Sequence, residues 1–448
     1  MPSSLPIGPY KEIPVRNGNM APFYVIPFDK NGRCKGPKTR EHLINSVAQD
    51  GFSNIFLFSH GWNNTWGDAV ENYEKFISNF QHVKPANSPL DAPDYKPVLI
   101  GITWPSTSLV MPWERGPGIQ SATPNARPPD FDHQVRDQQD ELDVVAELLP
   151  EEDVDEFYRI ASSDQSMSQL DAVKLANMLA PLYGQVEDPI DSDDDTPTPD
   201  ELIEFWKGPL MDAKSSTMNG AGAAAPAPAG IFDSLPDPRS PIRVFTVWKM
   251  KDRAGKVGAT GVAKLLGDLL QASSTSKTHL IGHSFGSKVL LSAVSFANLP
   301  RPVTSALLLQ PAINAHCFSA NVVGKDFAGG YRPTLEQIEQ PILSTYSSKD
   351  WPLTYTFHLA LRGKGDLGET QIKNINAPSE FAALGGFGPQ GLTGDDYAPL
   401  DIKPIGDVYP LNGSTPEVYG IRSDSAIGGH SEVVNEATAW ALYCQVTA

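Results

Sequence analysis

Cysteine is scarce in this chain of 448 residues, which contains only Cys34, Cys317 and Cys444. Three thiols this widely separated are too few for a disulfide framework, and they lack the spacing of a zinc site. A small, odd number of cysteines is typical of proteins from a reducing compartment. We therefore expect a cytoplasmic protein.

Long hydrophobic runs are also missing. No uninterrupted apolar stretch approaches the roughly 18 residues that a helix needs to span a bilayer. Residues 1–15 show no basic region followed by an apolar core, which is the pattern of a secretory signal. Hydrophobic residues make up 40% of the chain and charged residues 20%, which are ordinary values for a globular protein. We expect neither an integral membrane segment nor a secretory signal.

Basic residues are outnumbered, with 35 Lys and Arg against 53 Asp and Glu and a net charge of −18. Residues 107–240 hold 27 acidic and 8 basic residues, whereas the rest of the chain holds 26 acidic and 27 basic residues. The acidic excess is therefore confined to one block within a nearly neutral framework. Because no basic stripe is available to neutralise phosphates, the sequence predicts no nucleic-acid partner.

Apolar runs alternate with helix-like segments outside the acidic block. The runs indicate strands over 22–28, 54–58, 97–104, 278–281, 305–309, 341–347 and 417–421. Helices are predicted over 39–49, 68–80, 249–272, 288–294 and 431–445. Such alternation favours an α/β fold whose mostly parallel sheet is flanked by helices on both faces. We predict that residues 1–106 and 241–448 form this core and that residues 107–240 are an insertion.

The acidic insertion has helix-like apolar spacing over 135–149, 170–182 and 201–206. Its segments near 187–200 and 214–230 are rich in Asp or in Gly, Ala and Pro, and we expect them to be mobile. The sequence therefore predicts a mainly helical insertion. We expect it to act as a cap over the sheet edge, with a surface appendage unrelated to catalysis as the alternative.

A G-x-S-x-G motif, residues 282–286, lies between an apolar strand and an apolar helix. Such a turn can hold a serine nucleophile, here Ser284, in strained backbone geometry. Gly282 and Gly286 are then needed because a Cβ atom at either position would strike the neighbouring strand or helix. A pattern this short also arises by chance in roughly one such chain in five. An ordinary loop serine flanked by glycines is therefore the alternative.

A serine nucleophile needs a histidine base and a carboxylate that fixes the histidine tautomer. Of nine histidines, only His430 lies in a short polar loop between a late strand and the final helix. A histidine that caps the helix or is satisfied within its loop is the alternative. Asp350 is the preferred acid because it directly follows an apolar strand, at the sheet edge where the serine turn also emerges. An ordinary turn residue is the alternative for Asp350, and Asp424 is the second candidate for the acid.

The segment His60-Gly61-Trp62-Asn63-Asn64 follows another buried strand. Acyl transfer builds negative charge on the substrate carbonyl oxygen, and two backbone N–H groups can stabilise that charge. Gly61 permits a sharp turn that aims the Trp62 amide inward, and Phe285, which follows the nucleophile, supplies the second amide. On this interpretation His60 is structural. Asn63 and Asn64 are expected to hold the turn, with substrate contact as the alternative.

Taken together, these motifs resemble those of the α/β-hydrolase superfamily, in which the nucleophile, acid and histidine follow in this order. The His-Gly-x-Asn-Asn segment and the strand end 104–106 are similar to a group of esterase- and lipase-like hydrolases of largely undefined function. The resemblance covers about 300 residues, from Pro22 to Cys444 without the insertion. The chain departs from the family in its long separation of Asp350 from His430 and in an insertion that matches no common cap.

The resemblance implies a serine hydrolase that cleaves carboxylic esters through an acyl-enzyme intermediate. Its substrate would be a small-molecule ester or another acyl compound, and neither a metal nor an organic cofactor is required. The same triad leaves amide, peptide, thioester and polyester substrates open. An alternative of a different class is a non-catalytic scaffold that uses the acidic insertion to bind a partner. No sequence feature specifies an oligomeric state.

Overall fold

The computed structural model describes residues 6–15, 20–106, 142–143, 145–163, 167–183, 197–207, 239–322, 328–356, 382–392, 394–411 and 416–448. A nine-stranded sheet forms the centre of this part of the chain. Its strands are β1 (Lys11–Pro14), β2 (Met20–Pro27), β3 (Asn54–Ser59), β4 (Pro97–Thr103), β5 (Lys277–His283), β6 (Ser305–Leu309), β7 (Ile342–Tyr346), β8 (Tyr397–Asp401) and β9 (Val418–Arg422).

The strands lie in the order β1-β2-β4-β3-β5-β6-β7-β9-β8. Strand β1 pairs with β2 in the antiparallel sense, and every other neighbouring pair is parallel. The predicted α/β fold with a mostly parallel sheet is thus confirmed. Because parallel strands point the same way, the segments that follow β3, β5, β6, β7 and β9 all leave the sheet at its carboxyl edge.

Helices cover both faces of the sheet. They are α1 (Pro37–Gln49), α2 (Trp66–Val83), α3 (Glu151–Ala161), α4 (Gln169–Tyr183), α5 (Pro199–Lys207), α6 (Arg239–Val257), α7 (Ala263–Ala272), α8 (Phe285–Phe296), the short α9 (Leu384–Phe387) and α10 (Glu436–Thr447). A π-helical turn, Gly258–Val262, joins α6 to α7. No helix within the described ranges is both long enough and apolar enough to cross a membrane.

Alternation along the central strand β3 divides the core into two layers. Ile55 and Leu57 face a layer formed with α1, the second half of α6, α7 and α8. Phe56 and Phe58 face the opposite layer, formed with α2 and α10. All residues of β3 and β4 are buried, as expected of parallel strands covered on both faces.

Polar capping residues fix the start of α2 and α10, two helices that follow strands. The Thr65 hydroxyl accepts from the Asp68 amide at 3.2 Å, and the Asp68 carboxylate accepts from the Thr65 amide at 3.0 Å, which starts α2. Asn435 caps α10 in the same way with Thr438. The last helix therefore begins at Glu436 rather than near residue 431 as predicted, and His430 lies in the preceding loop.

The described part of the acidic insertion has a hydrophobic cluster of its own. Buried residues of α3, α4 and α5 pack together with Ile242 and Phe245 from the first half of α6. Helix α6 begins at Arg239, ten residues before the predicted start, and so crosses the predicted boundary at residue 240. The division of the chain into a core and an insertion stays a prediction, as does the cap.

Several expectations for the insertion fall on residues that are not described. The predicted mobile segment 214–230 lies outside the described residues, and so does 187–200 except for its last residues, where α5 begins at Pro199. Of the helix predicted over 135–149, only part of 142–149 is described. Helix α3 was not predicted.

Candidate active site

Ser284 occupies the single position between the end of β5 and the start of α8. Its backbone has φ of 55° and ψ of −126°, a conformation that non-glycine residues rarely adopt. Only 1% of the residue is exposed. The sequence motif therefore forms the sharp strand-to-helix turn that was predicted for it.

Three glycines allow other backbone segments to approach Ser284 closely. A Cβ atom on Gly61 would lie 2.5 Å from the Ser284 Cβ, and one on Gly286 would lie 2.1 Å from the Ser59 carbonyl oxygen. A Cβ atom on Gly282 would lie 2.6 Å from the Ser287 Cα. Since real Cβ atoms do not tolerate such distances, these positions require glycine. The turn after β3 is thereby packed directly against Ser284.

The three residues predicted as a triad are brought together in a continuous hydrogen-bonded chain. His430 Nε2 lies 2.8 Å from Ser284 Oγ, and His430 Nδ1 lies 2.8 Å from Asp350 Oδ2. A carboxylate only accepts hydrogen bonds, so Nδ1 carries the imidazole proton and Nε2 accepts from the serine hydroxyl. This tautomer has the arrangement that a general base needs.

Asp350 is completely buried, and donors surround its carboxylate. Oδ2 accepts from His430 and from Gln310 Nε2 at 2.9 Å, and Oδ1 accepts from the Leu353 amide at 3.1 Å. Burial by itself raises the pKa of Asp350, but the interactions with His430, Gln310 and Leu353 outweigh it and leave the pKa below its ordinary value. The carboxylate is therefore held in its charged form.

Asp424, the second candidate for the acid, has different partners. Its Oδ1 accepts from the Ser348 amide at 2.9 Å and from the Ser348 hydroxyl at 2.5 Å. Ser347 Oγ donates a hydrogen bond to the Ile427 carbonyl oxygen at 2.8 Å. Asp424 thus ties the turn that carries Asp350 to the loop that carries His430.

His283, the second residue of the motif, contacts the loop of His430. Its Nε2 lies 2.9 Å from the His430 carbonyl oxygen, so Nε2 carries a proton and donates it. Burial, followed by the proximity of His430, lowers the pKa of His283 to about 3. A neutral His283 therefore anchors the backbone at His430 to the turn that holds Ser284.

His60 holds the peptide between Gly61 and Trp62 in one orientation. His60 Nδ1 donates to the Gly61 carbonyl at 2.9 Å, and Asn64 Nδ2 donates to the same oxygen at 3.3 Å. Because a trans peptide points its N–H opposite to its C=O, the Trp62 amide faces away from His60 and Asn64. His60 Nε2 accepts from the Trp104 amide at 3.2 Å, and burial lowers the pKa of His60 to about 4.

In comparisons with known proteins, the chain matches no family model, no curated protein and no solved structure. The resemblance to the α/β-hydrolases therefore stays a prediction, and function has to be inferred from the geometry of the site. Within the described ranges, no group of three or more His, Cys, Asp or Glu side chains could hold a metal ion. The expectation that no cofactor is required stays a prediction as well.

Asn63 and Asn64 take part in the turn after β3. Asn63 has a positive φ of 56°, and its amide donates to the Ser106 carbonyl at 2.7 Å. Asn64 Nδ2 donates to the Trp62 carbonyl at 2.9 Å, and the Asn64 amide donates to Ser106 Oγ at 3.2 Å. Ser106, the last described residue before the insertion, therefore holds the turn that presents the Trp62 amide.

Sequence reasoning gave no role to Gln310, His283 or Ser106. Gln310 directly follows β6, His283 is the last residue of β5, and Ser106 lies three residues after β4, so a position near the end of a buried strand is the signal that could have singled them out. Their partners lie on other strands or loops, so sequence spacing could not identify them. Trp62 and Phe285, the predicted oxyanion donors, follow Gly61 and Ser284, the two residues that pack against each other.

Proposed function

We propose that this protein is a serine hydrolase with an α/β-hydrolase fold that cleaves carboxylic esters. The observation that carries the proposal is the hydrogen-bonded chain from Ser284 Oγ through His430 to the buried Asp350 carboxylate. The positive φ of Ser284 supports it, because a strained serine between a strand and a helix is typical of a nucleophile turn.

In the proposed reaction, Ser284 Oγ bonds to the carbonyl carbon of the ester while its proton passes to His430 Nε2. The tetrahedral intermediate collapses when the bond to the alcohol oxygen breaks and His430 gives that oxygen its proton. A water molecule then loses a proton to His430 while its oxygen bonds to the carbonyl carbon of the acyl enzyme. The bond between that carbon and Ser284 Oγ breaks, His430 returns the proton to Oγ, and the acid is released. Asp350 stays ionised throughout and stabilises the imidazolium.

The Trp62 and Phe285 amides are proposed to stabilise the negative oxygen of the tetrahedral intermediate. The Trp62 amide faces away from the groups that bind the Gly61 carbonyl, and Gly61 packs against Ser284. Phe285 is the first residue of α8, so its amide lies at the positive end of a helix. Such preorganised donors each contribute about 3 kcal/mol to transition-state stabilisation in acyl transfer.

Labelling with a fluorophosphonate probe tests the proposal directly. We expect the wild-type protein to be labelled and Ser284→Ala to be unlabelled. The matched control is Ser292→Ala, because Ser292 is a buried serine of α8 whose hydroxyl pairs with Tyr331 at 2.8 Å rather than with a histidine. Folded wild-type protein that resists labelling would refute the proposal and favour the non-catalytic scaffold.

The leaving group is addressed by comparing p-nitrophenyl esters, p-nitroanilides and thioesters with the same acyl chain. We expect the ester to have the highest kcat/KM, with all three activities lost in Ser284→Ala. A higher kcat/KM for the anilide or the thioester would keep the triad but replace the proposed esterase with an amidase or a thioesterase.

We further propose that the insertion caps the carboxyl edge of the sheet and shapes the acyl site. The chain enters the insertion after Ser106, which contacts the turn beside Ser284, and it returns through α6. Phe157 and Trp206, two aromatic residues of the insertion, are buried in its own hydrophobic cluster and therefore contribute to the stability of this unit.

A deletion of residues 107–238 tests the cap, combined with Ile242→Ser and Phe245→Ser because removing the insertion would expose those two side chains of α6. The preference among acyl chain lengths is measured for a series of p-nitrophenyl esters. A cap predicts a changed preference in a folded deletion variant. An unchanged preference would show that the insertion is a surface appendage.

A further inference from the structure

Gln310 directly follows β6 and is completely buried. Its backbone has a positive φ of 45°, although glutamine has no side chain that relieves this conformation. The Gln310 amide donates to Thr345 Oγ1 at 2.9 Å. A strained residue in a parallel sheet persists only where its surroundings hold it firmly, and such residues cluster at functional sites.

The partners of the Gln310 side chain fix the orientation of its amide group. Nε2 lies 2.9 Å from Asp350 Oδ2 and 2.9 Å from the Gly385 carbonyl oxygen, and both of these atoms only accept. Oε1 lies 3.1 Å from Thr345 Oγ1, whose proton it accepts. Both protons of Nε2 and the oxygen are therefore used, and the donor side of the amide faces the Asp350 carboxylate.

We propose that Gln310 is a positioning residue that keeps Asp350 ionised and aimed at His430 Nδ1. This inference rests on the proposed hydrolase function. Asp350 Oδ2 is shared between the Gln310 amide and the His430 imidazole, so a shift of the carboxylate would loosen the hydrogen bond to the imidazole. Gln310 acts through Asp350 alone and does not touch the reacting atoms.

Two substitutions separate this role from a purely structural one. Asparagine tolerates positive φ better than glutamine, so Gln310→Asn favours the backbone conformation, but its side chain is one methylene too short to keep the contact with Asp350. Gln310→Glu keeps the size of the side chain and places a second carboxyl group against Asp350. Like charges at this distance raise the affinity of the site for protons.

The matched control is Gln445→Leu. Gln445 is also completely buried, and its Nε2 donates to two backbone carbonyls, those of Ala306 at 3.1 Å and Pro341 at 3.2 Å. It lies in α10, and neither contact involves Asp350. The control therefore removes a comparable pair of buried hydrogen bonds without touching the candidate site.

The readouts are the pH dependence of kcat/KM for a p-nitrophenyl ester and the pH dependence of the fluorophosphonate labelling rate. The acidic limb of each profile reports protonation of the catalytic base in the free enzyme. We expect Gln310→Asn to lower kcat/KM roughly 10- to 100-fold, the usual effect of one hydrogen bond to a charged group. Its acidic limb should move to higher pH by about half a unit to one unit.

For Gln310→Glu we expect the acidic limb to move further toward high pH than in Gln310→Asn. In Gln445→Leu the acidic limb should stay at the wild-type pH. Suppose that the wild-type protein is labelled and that both Gln310 variants keep the wild-type rates and acidic limbs. This result would overturn the role of Gln310 but leave the proposed function in place. Wild-type protein that is not labelled would overturn the proposed function, and the role of Gln310 with it. If the acidic limb shifted as much in Gln445→Leu as in the Gln310 variants, the shift would be a general effect of lost stability. That result would also overturn the proposed role of Gln310.

Discussion

Positive φ angles at residues other than glycine are concentrated at the candidate site. Four such residues occur in the described part of the chain, and Asn63, Ser284 and Gln310 are three of them. Each costs about 1–3 kcal/mol of folding free energy. Side-chain or backbone hydrogen bonds across neighbouring strands hold all three, so the fold supports this strain where the chemistry is proposed to occur.

At the residue scale, we predict different effects of Asp350→Asn and Asp424→Asn. An amide at 350 cannot hold the imidazole tautomer that leaves Nε2 free to accept from Ser284, so kcat should fall by about 10⁴-fold. Asp424→Asn keeps an acceptor for Ser348, so we expect less than about a tenfold loss. Hydrolysis of a p-nitrophenyl ester measures both, and a larger loss in Asp424→Asn would contradict the assignment of Asp350.

The proposed nucleophile, acid and histidine could be selected from the sequence because each follows a recognisable apolar strand. The structure brings Ser284, Asp350 and His430 together, as the strand-end argument requires. Gln310 also follows a strand, yet its importance depends on contacts with Asp350 and Gly385, which lie far along the chain. Contacts of this kind arise from the order of the strands, which sequence spacing does not reveal.

At the scale of elements, the seven predicted strands are all present, and the two unpredicted ones lie at the sheet edges. Strand β8 contains Pro399, which removes a backbone donor and argues against an interior strand. It is tolerated because β8 has a partner on one side, β9. Strand β1 is short and largely exposed, so it has no apolar run to reveal it.

Helix α6 was predicted too short because its first half serves a different core. Ile242 and Phe245 pack with helices of the insertion, whereas Met250 and Ala254 pack against the sheet. The apolar face therefore changes partner along the helix. A search for a single periodic apolar face therefore detects only the second half of α6, which packs against the sheet.

An element-scale prediction uses two glycines at the second position of a helix. A Cβ atom added to Gly286 in α8 would lie 2.1 Å from the Ser59 carbonyl oxygen. A Cβ atom added to Gly67 in α2 would have its nearest neighbour 3.7 Å away. We expect Gly286→Ala to lower the free energy of unfolding by roughly 1–3 kcal/mol or more. Gly67→Ala should raise it by up to about 1 kcal/mol.

Urea unfolding followed by circular dichroism measures both glycine variants. If Gly286→Ala were as stable as Gly67→Ala, the close packing of α8 against the end of β3 would be wrong. Loss of fluorophosphonate labelling should accompany the loss of stability in Gly286→Ala only, because a Cβ atom at Gly67 would approach Thr65 and not the turn that holds Ser284.

At the scale of the whole molecule, three neutral histidines make the fold sensitive to acid. Burial lowers the pKa of His60 to about 4 and the pKa values of His279 and His283 to about 3, from an ordinary value of 6.5. Between pH 6.5 and about 4 the unfolded chain binds more protons than the folded one, so stability falls as the pH falls.

In that window each of these histidines should lower the free energy of unfolding by about 1.4 kcal/mol for every unit by which the pH falls. The three together should lower it by about 4 kcal/mol per pH unit. His279 forms hydrogen bonds with Asn54 at 3.0 Å and Ser305 at 2.8 Å, and neither partner belongs to the proposed triad. We predict that His279→Gln reduces the slope of the unfolding free energy against pH by about 1.4 kcal/mol per pH unit. Urea titrations from pH 7 to pH 4.5 measure this, and an unchanged slope would contradict it.

The pKa of Asp350 lies below its ordinary value. Asp350 therefore affects the stability of the fold over a different pH range from the three histidines. A carboxylate with a lowered pKa stabilises the fold above the unfolded value of 3.8 and loses that effect as the pH falls further. Its loss therefore begins only after the histidines of the unfolded chain have taken up their protons. Measurements above about pH 8 provide the control, since an unfolded histidine with a pKa of about 6.5 is almost entirely neutral there.

Helix α6 also affects the order in which the chain can assemble. Strand β5 pairs with β3 in a register that joins Lys277 to Asn54, so the whole insertion lies in the loop that this pairing closes. The entropy lost on closing a loop grows with its length, whereas α3 to α6 contact one another over short separations. We expect these helices to collapse first and shorten the loop, so that the acidic insertion assists the kinetics of sheet formation independently of any role in catalysis.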